Sequence, residues 1–270
     1  MNAPKIITSL TNDRVKAIRA LEMRKVRKET GLFVAEGASL LISARDQGFV
    51  PETLVYQAGT NDGGIVRGLI IWALKEGAEV LEVSEAILAK LASKDNPQTV
   101  LGVFKQAFAT PPEPQAVSAS STWLALEEVR DPGNLGTIIR TCDAVGVSGI
   151  ILVGACCDPY SIESIRATMG SVFAVPIVKM EREAFLELSA GWRGDVVATH
   201  LDATDDFRAV QYRGPELIVM GSEGPGLSDA LAAAATRRVK IPMAGQLDSL
   251  NLAIATALTL YQTRSRHLKI

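Results

Sequence analysis

Five short runs in the second half of the chain, Trp123–Leu126, Gly149–Val153, Val196–Thr199, Leu217–Met220 and Val239–Ile241, are almost wholly apolar. A strand with one face in water alternates apolar and polar residues, whereas a strand covered on both faces has no reason to. Segments with helical spacing separate these runs. The pattern predicts an α/β fold: a mostly parallel sheet with helices on both faces. In such a sheet a ligand binds in the crevice beyond the carboxyl ends of the strands.

The first half alternates on a smaller scale. Val15, Ile18, Leu21 and Val26 recur near helical spacing between Asn12 and Glu29, and Leu32–Val34 follows as a strand. Helices over 39–47, 65–75 and 84–92 and strands over 53–56, 79–83 and 100–104 complete a small α/β unit. The Pro- and Ser-rich stretch after Thr110 reads as an extended linker. The organisation expected is therefore an N-terminal domain at 1–109, a linker at 110–121 and a second domain at 122–270.

Of the 270 residues, 47% are hydrophobic and 21% charged, which suits a packed soluble protein. The N-terminus lacks the continuous apolar core of a secretion signal, and no apolar stretch reaches the roughly 20 residues that cross a bilayer. Cys142, Cys156 and Cys157 are odd in number and form no C-x-x-C pair, so a reducing cytoplasmic setting is expected. His200 and His267 are the only histidines, which disfavours a catalytic Ser-His-Asp triad or a histidine-rich metal site. No metal is expected, and chemistry falls to Arg, Asn, Glu, Ser and backbone groups. The net charge is −2, yet Lys5, Arg14, Lys16, Arg19, Arg24, Lys25, Arg27 and Lys28 form a basic arm opposed within it only by Asp13 and Glu22. Such a run is either a solvated helix face or a surface for phosphates.

Three polar clusters adjoin the apolar runs. In Asn134-Leu-Gly-Thr-Ile-Ile-Arg140, Asn134 can cap a helix, and Arg140 is a guanidinium among apolar neighbours that calls for an anion. Met220-Gly-Ser-Glu-Gly-Pro-Gly226 lacks the lysine of an NTP loop and the spacing of a dinucleotide loop. Its Glu223 suits a hydroxyl, an amine or a cation, or simply a turn, and Ser228 can cap the next helix. In the third, Ile241-Pro-Met243 leads to Ser249-Leu-Asn251, where Ser249 reads as a helix cap or as part of an anion site.

Taken together, the three clusters resemble, in order, the three motifs of the SpoU, or TrmH-like, family of S-adenosylmethionine-dependent RNA ribose 2′-O-methyltransferases. Arg166-Ala-Thr-Met-Gly170 and Gly31-Leu-Phe-Val-Ala-Glu36-Gly37 add lesser matches, so the resemblance covers nearly the whole chain. It implies a SPOUT-type trefoil-knotted catalytic domain and a homodimer. It also implies a ribosomal-protein-like N-terminal domain that presents RNA, with an organisation closest to members acting on ribosomal RNA. The residues matched as catalytic are Arg140, Asn134, Glu223, Ser249 and Asn251. Those matched to S-adenosylmethionine are Met220, Gly221, Gly226, Ile241, Met243, Leu250 and Asn251. Arg166, with Arg24, Lys25, Arg27 and Lys28, is expected on the RNA. Cys142-Asp143 and Ile162-Glu163 depart from the family pattern without removing a motif residue. A transfer-RNA methyltransferase, and a non-catalytic RNA-binding protein that keeps the cofactor fold, are the alternatives.

Overall fold

The computed structural model describes residues 3–61, 63–92 and 98–268, and the chain divides into two compact units. The first comprises 1–107 and 158–174, the second 108–157 and 175–270.

In the first unit β1 (Lys5–Ile7), α1 (Asp13–Ala20), α2 (Arg24–Thr30), β2 (Leu32–Glu36), α3 (Ala38–Asp46), β3 (Thr53–Gln57), α4 (Gly64–Lys75), β4 (Glu79–Val83), α5 (Glu85–Leu91) and β5 (Val100–Lys105) follow in order. The sheet runs β1-β4-β3-β5-β2, parallel on one side and antiparallel around β5. The single helix expected between Asn12 and Glu29 is two helices. Asn12 caps the first, and the chain then turns through Leu21 and Met23 before α2 begins. Apolar spacing survives that turn because Leu21 is still buried, which is why the break left no mark on the periodicity.

The second unit opens at Phe108, and its residues 110–121 contain no helix or strand. It contributes β6 (Thr122–Glu127), α6 (Pro132–Val145) and β7 (Gly149–Val153). The chain then enters the first unit for α7 (Ile162–Thr168) and a 3-10 turn at Ser171–Phe173, and returns as β8 (Ile177–Met180). There follow α8 (Arg182–Ala190), β9 (Val196–Thr199), β10 (Asp205–Asp206), β11 (Glu216–Met220), α9 (Asp229–Ala234), β12 (Arg237–Lys240) and α10 (Leu252–Arg264). The seven strands run β10-β12-β9-β11-β6-β7-β8, every neighbouring pair parallel. Both faces are covered, as the unbroken apolar runs require. Ala125, Ile151, Val153, Val219 and Ala198 pack against Phe185, Leu188 and Leu231 from α8 and α9.

The boundaries read from sequence leave 158–174 in the second domain, but chemistry ties this segment into the first unit. Tyr160 and Phe173 join Phe33, Phe49 and Phe104 in an aromatic cluster with centroid separations of 4.7–6.0 Å. The Tyr160 hydroxyl donates to the Ala107 carbonyl at 2.9 Å. Asp158 accepts from Arg27 Nε at 2.8 Å, and Arg27 Nη1 donates to the carbonyls of Leu21 and Glu22. Both charged side chains are at least nine-tenths buried. Removing one member of a buried pair leaves the other charge uncompensated, so Asp158→Ala is expected to cost about 3–5 kcal/mol of stability. Thermal unfolding checks this, and a midpoint unchanged within about one degree would contradict it.

Candidate active site

The three clusters lie at the carboxyl ends of β6, β11 and β12. The structure replaces the expected Asn134 cap with Asp131, whose Oδ1 accepts from Asn134 N at 2.6 Å, and Pro132 occupies the first turn. That leaves the Asn134 side chain available. Its Nδ2 donates to Glu223 Oε1 at 2.9 Å, and its Oδ1 accepts from Asn251 Nδ2 at 3.0 Å. One residue from each cluster is thus joined in a single relay.

The direction of every bond in the relay is fixed by its far end. Asn251 caps α10, its Oδ1 accepting from Ala253 N at 2.9 Å and Ile254 N at 3.3 Å. Its amide nitrogen must therefore donate to Asn134, whose own nitrogen must donate to Glu223. Glu223 is left as an acceptor only, and its second oxygen takes the Arg130 backbone N–H at 3.1 Å. Burial opposes ionisation of Glu223, but the hydrogen bonds from Asn134 and from the N–H groups of Arg130, Glu223 and Asp131 outweigh it and hold the group below its ordinary value. Its contribution is complete above that ordinary value and is lost only as the pH falls through the depressed one.

Ser249 is not the expected cap. It is exposed and its hydroxyl donates to Asp248 Oδ1 at 3.2 Å, because Asn251 already holds the first amides of α10. Arg140 stands six residues beyond Asn134, about 240° round the helix, so the relay does not include it. It is exposed, and among the described residues nothing is hydrogen-bonded or ion-paired to it.

The loops around the relay suit a ligand held by backbone groups. Gly221 follows the buried Met220, whose sulfur accepts from Thr199 Oγ1 at 3.2 Å. A Cβ on Gly221 would lie 2.1 Å from Gly226 C and Leu227 N, so the loop closes on itself only around glycine. Ser222 and Gly226 exchange two backbone hydrogen bonds of 3.1 and 3.2 Å across that closure. Ile241 and Met243 are half-buried, and Gly226 and Leu250 exposed. Among the described residues no amide of Met243–Leu250 donates to a carbonyl or side chain of the protein. These residues fit S-adenosylmethionine: free amides and carbonyls for its polar ends, apolar side chains for its body, and no lysine or arginine that would repel a sulfonium.

One part of the site was not foreseen. Glu127, buried at the end of β6, accepts from Ser228 N and Ser228 Oγ, each at 2.7 Å, and from Arg182 Nε at 3.1 Å. Arg182 reaches Glu128 as well at 3.1 Å. Ser228 also caps α9, as expected. This network anchors the end of the second cluster to the strand before the first. Its signal in the sequence was a carboxylate directly after a buried apolar run.

The expected RNA residues fall in the first unit. Arg24, Lys25 and Lys28 are exposed on α2. Arg27 is corrected: it is buried against Asp158 and is a core ion pair, not a surface contact. Arg166, on α7, donates from Nη2 to Glu36 Oε2 at 3.1 Å. Among the described residues there is no group of His, Cys, Asp and Glu that could hold a metal, and no helix long and apolar enough to cross a membrane.

Residues 121–261 match the SpoU rRNA Methylase family and residues 12–102 the MRM3-like substrate binding domain. A crystal structure of an AdoMet-bound rRNA methyltransferase from Sinorhizobium meliloti superposes with a TM-score of 0.90 at 45% identity, covering 98% of this chain and 99% of that one. An uncharacterized tRNA/rRNA methyltransferase of Synechocystis is 35% identical over 96% of this chain and 93% of its own length. The 23S rRNA (guanosine(2553)-2′-O)-methyltransferase RlmP of Bacillus subtilis is 28% identical over 96% and 99%. Fold, site and likenesses define an S-adenosylmethionine-dependent RNA methyltransferase. The chain belongs to the SpoU rRNA methylase family, with an MRM3-like substrate-binding domain ahead of the catalytic one.

Proposed function

We propose that the protein methylates a ribose 2′-hydroxyl of ribosomal RNA, in the cytoplasm and as a homodimer. The observation that carries this reading is the Glu223–Asn134–Asn251 relay, which joins the three motif loops at the carboxyl ends of the parallel strands. When bound, S-adenosylmethionine supplies an electrophilic methyl on a sulfonium. The chain's task is then to align the 2′-oxygen and to steady its developing charge. Met220, Gly221, Gly226, Ile241, Met243 and Leu250 hold the cofactor. Glu223 is ionised with both oxygens engaged, which suits it to fix Asn134 and not to collect the proton. Arg140 serves as the cation for the ribose oxygen and its neighbouring phosphate. Ser249, exposed on the third loop, meets the ribose.

The dimer reading rests on α10. Leu252, Ala253, Thr256, Thr259, Leu260 and Thr263 are buried, while Ile254, Leu258 and Tyr261 form an exposed apolar stripe on the other side. A second copy of the chain suits that stripe.

Arg24, Lys25 and Lys28, together with Arg166, are the phosphate contacts. The 3.9 Å pair between Lys25 and Glu29 is exposed and offers RNA little competition. Replacing Arg24, Lys25 and Lys28 together by Gln is expected to lower RNA affinity and to flatten its log–log salt dependence by about 2–3, at roughly 0.7–0.9 for each phosphate lost. Cofactor affinity should stay unchanged. A salt slope equal to wild type would return these residues to a solvated face. The activity itself is tested by incubating deproteinised ribosomal RNA with the protein and methyl-labelled cofactor. Label in 2′-O-methylnucleosides is the expected result, and label in a methylated base would overturn the reading.

A further inference from the structure

We propose that Arg182, which lies outside all three clusters, is a positioning residue for the cofactor; this rests on the reading above that the 220–226 loop holds S-adenosylmethionine. Arg182 is the first residue of α8. A cation in that position meets the positive end of the helix dipole, so α8 gives no reason of its own for an arginine there. Two carboxylates at the end of β6 do. Nε donates to Glu127 Oε1 and Nη2 to Glu128 Oε1, each at 3.1 Å. Among the described residues no other cation is ion-paired to Glu127, whose side chain is 4% exposed. A carboxylate buried so deeply is costly without a cation beside it.

Glu127 passes this support to the loop. Its Oε1 accepts from Ser228 Oγ and its Oε2 from Ser228 N, each at 2.7 Å, so side chain and backbone of that residue are fixed together. Ser228 follows Leu227, whose nitrogen is part of the wall that closes on Gly221. The second carboxylate orients the guanidinium. Glu128 has a left-handed backbone with φ 49°, its N–H donates to the Val153 carbonyl at 3.0 Å, and its carboxylate accepts from the same Arg182. A planar fork that bridges two carboxylates is fixed in direction as well as in distance. Holding α8 on the sheet does not require these bonds. Phe185 and Leu188 bury that helix in the apolar core, whereas the Arg182 side chain is 40% exposed. Its hydrogen bonds among the described residues end at the two carboxylates, so what it adds is the seat of Glu127 and, through Ser228, the shape of the cofactor loop.

The inference is tested on the full-length protein by calorimetric titration with S-adenosylmethionine, well below the thermal midpoint of each variant, beside steady-state methyl transfer. Arg182→Ala is expected to weaken cofactor binding roughly tenfold, the loss of a charge-assisted contact that seats the loop. It should raise KM for the cofactor in proportion and keep kcat at saturation within about twofold of wild type. RNA affinity should stay unchanged. Arg182→Lys should recover part of the loss, since an ammonium can meet Glu127 but cannot bridge both carboxylates. In a double-mutant cycle Arg182→Ala should add less than about twofold once Glu127→Gln has removed the charge it serves. Wild-type cofactor affinity with Arg182→Ala, even with a lowered thermal midpoint, would overturn the positioning role, and so would an undiminished loss in the Glu127→Gln background. Gly221→Ala measured alongside separates the two levels. Wild-type affinity in that variant would remove the loop reading itself, whereas loss with Gly221→Ala and none with Arg182→Ala would remove only the role of Arg182. Should Arg182→Ala fail to fold, Arg182→Met keeps the apolar stem and removes the charge. It carries the same cycle, with the same Glu127-dependent loss expected and a Glu127-independent loss overturning the role.

Discussion

Arg140→Ala is expected to lower methyl transfer by at least roughly a thousandfold while S-adenosylmethionine affinity stays within about twofold of wild type. The separation follows from where the residue sits. Arg140 is on α6, outside the Glu223–Asn134–Asn251 relay and outside the loops assigned to the cofactor. Its loss leaves the fold of those loops untouched. An exposed guanidinium that nothing among the described residues engages is placed to meet an anion from outside the chain. A charge formed on the ribose oxygen only in the transition state gives it work that ground-state binding does not share. Arg140→Lys should recover little, because an ammonium lacks the planar fork that serves two oxygens at once. Equilibrium titration of the cofactor beside single-turnover methyl transfer checks the split. Loss of both together would make Arg140 structural.

Gly221→Ala is expected to do the converse and remove cofactor binding at its root, by roughly a hundredfold or more. The added Cβ meets backbone and not a mobile side chain: Gly226 C and Leu227 N at 2.1 Å and Gly226 O at 2.4 Å. The closed loop must open, and the two Ser222–Gly226 hydrogen bonds are the first to be broken. Displacement of Leu227 then pulls on Ser228, whose contacts with Glu127 tie the loop to β6. A loop that presents its backbone to a ligand tolerates little such spreading, since a shift of about 1 Å in a positioned group costs about 100-fold. Calorimetric titration with S-adenosylmethionine measures the effect, with RNA affinity of the first unit as the control. Wild-type cofactor affinity in this variant would show that the loop has another purpose.

The two variants also show how unevenly the site could be read from the chain. The strands were legible because burial on both faces erases alternation, as in Gly149–Val153, all five residues of which are buried. The shortest strands were not: β10 has two residues and β1 three, too few for any period to appear. Residue type located the three motif loops, but not the bonds between them. Asn134 looks like a cap until Asp131 is seen to fill that position, and Ser249 likewise until Asn251 does. Arg27 misleads for a related reason. A charge within a basic run belongs on the surface unless a partner is supplied from afar, and its partner Asp158 lies 131 positions along the chain. Glu36 and Arg166, 130 positions apart, were each visible in a motif, yet their pairing was not. Local chemistry is written locally, whereas a long-range ion pair is fixed only when the two segments pack.

The central claim, that the three motifs form one site for ribose 2′-O-methylation, is tested most directly by mapping alkali-resistant linkages along ribosomal RNA from cells that carry the protein, lack it, or carry Arg140→Ala. A 2′-O-methyl group blocks cleavage at its own linkage and nowhere else. The account predicts a protected linkage present with the wild-type chain and absent from both other cells. Ribosomal RNA with identical cleavage patterns in all three, or protection that persists with Arg140→Ala, would contradict it.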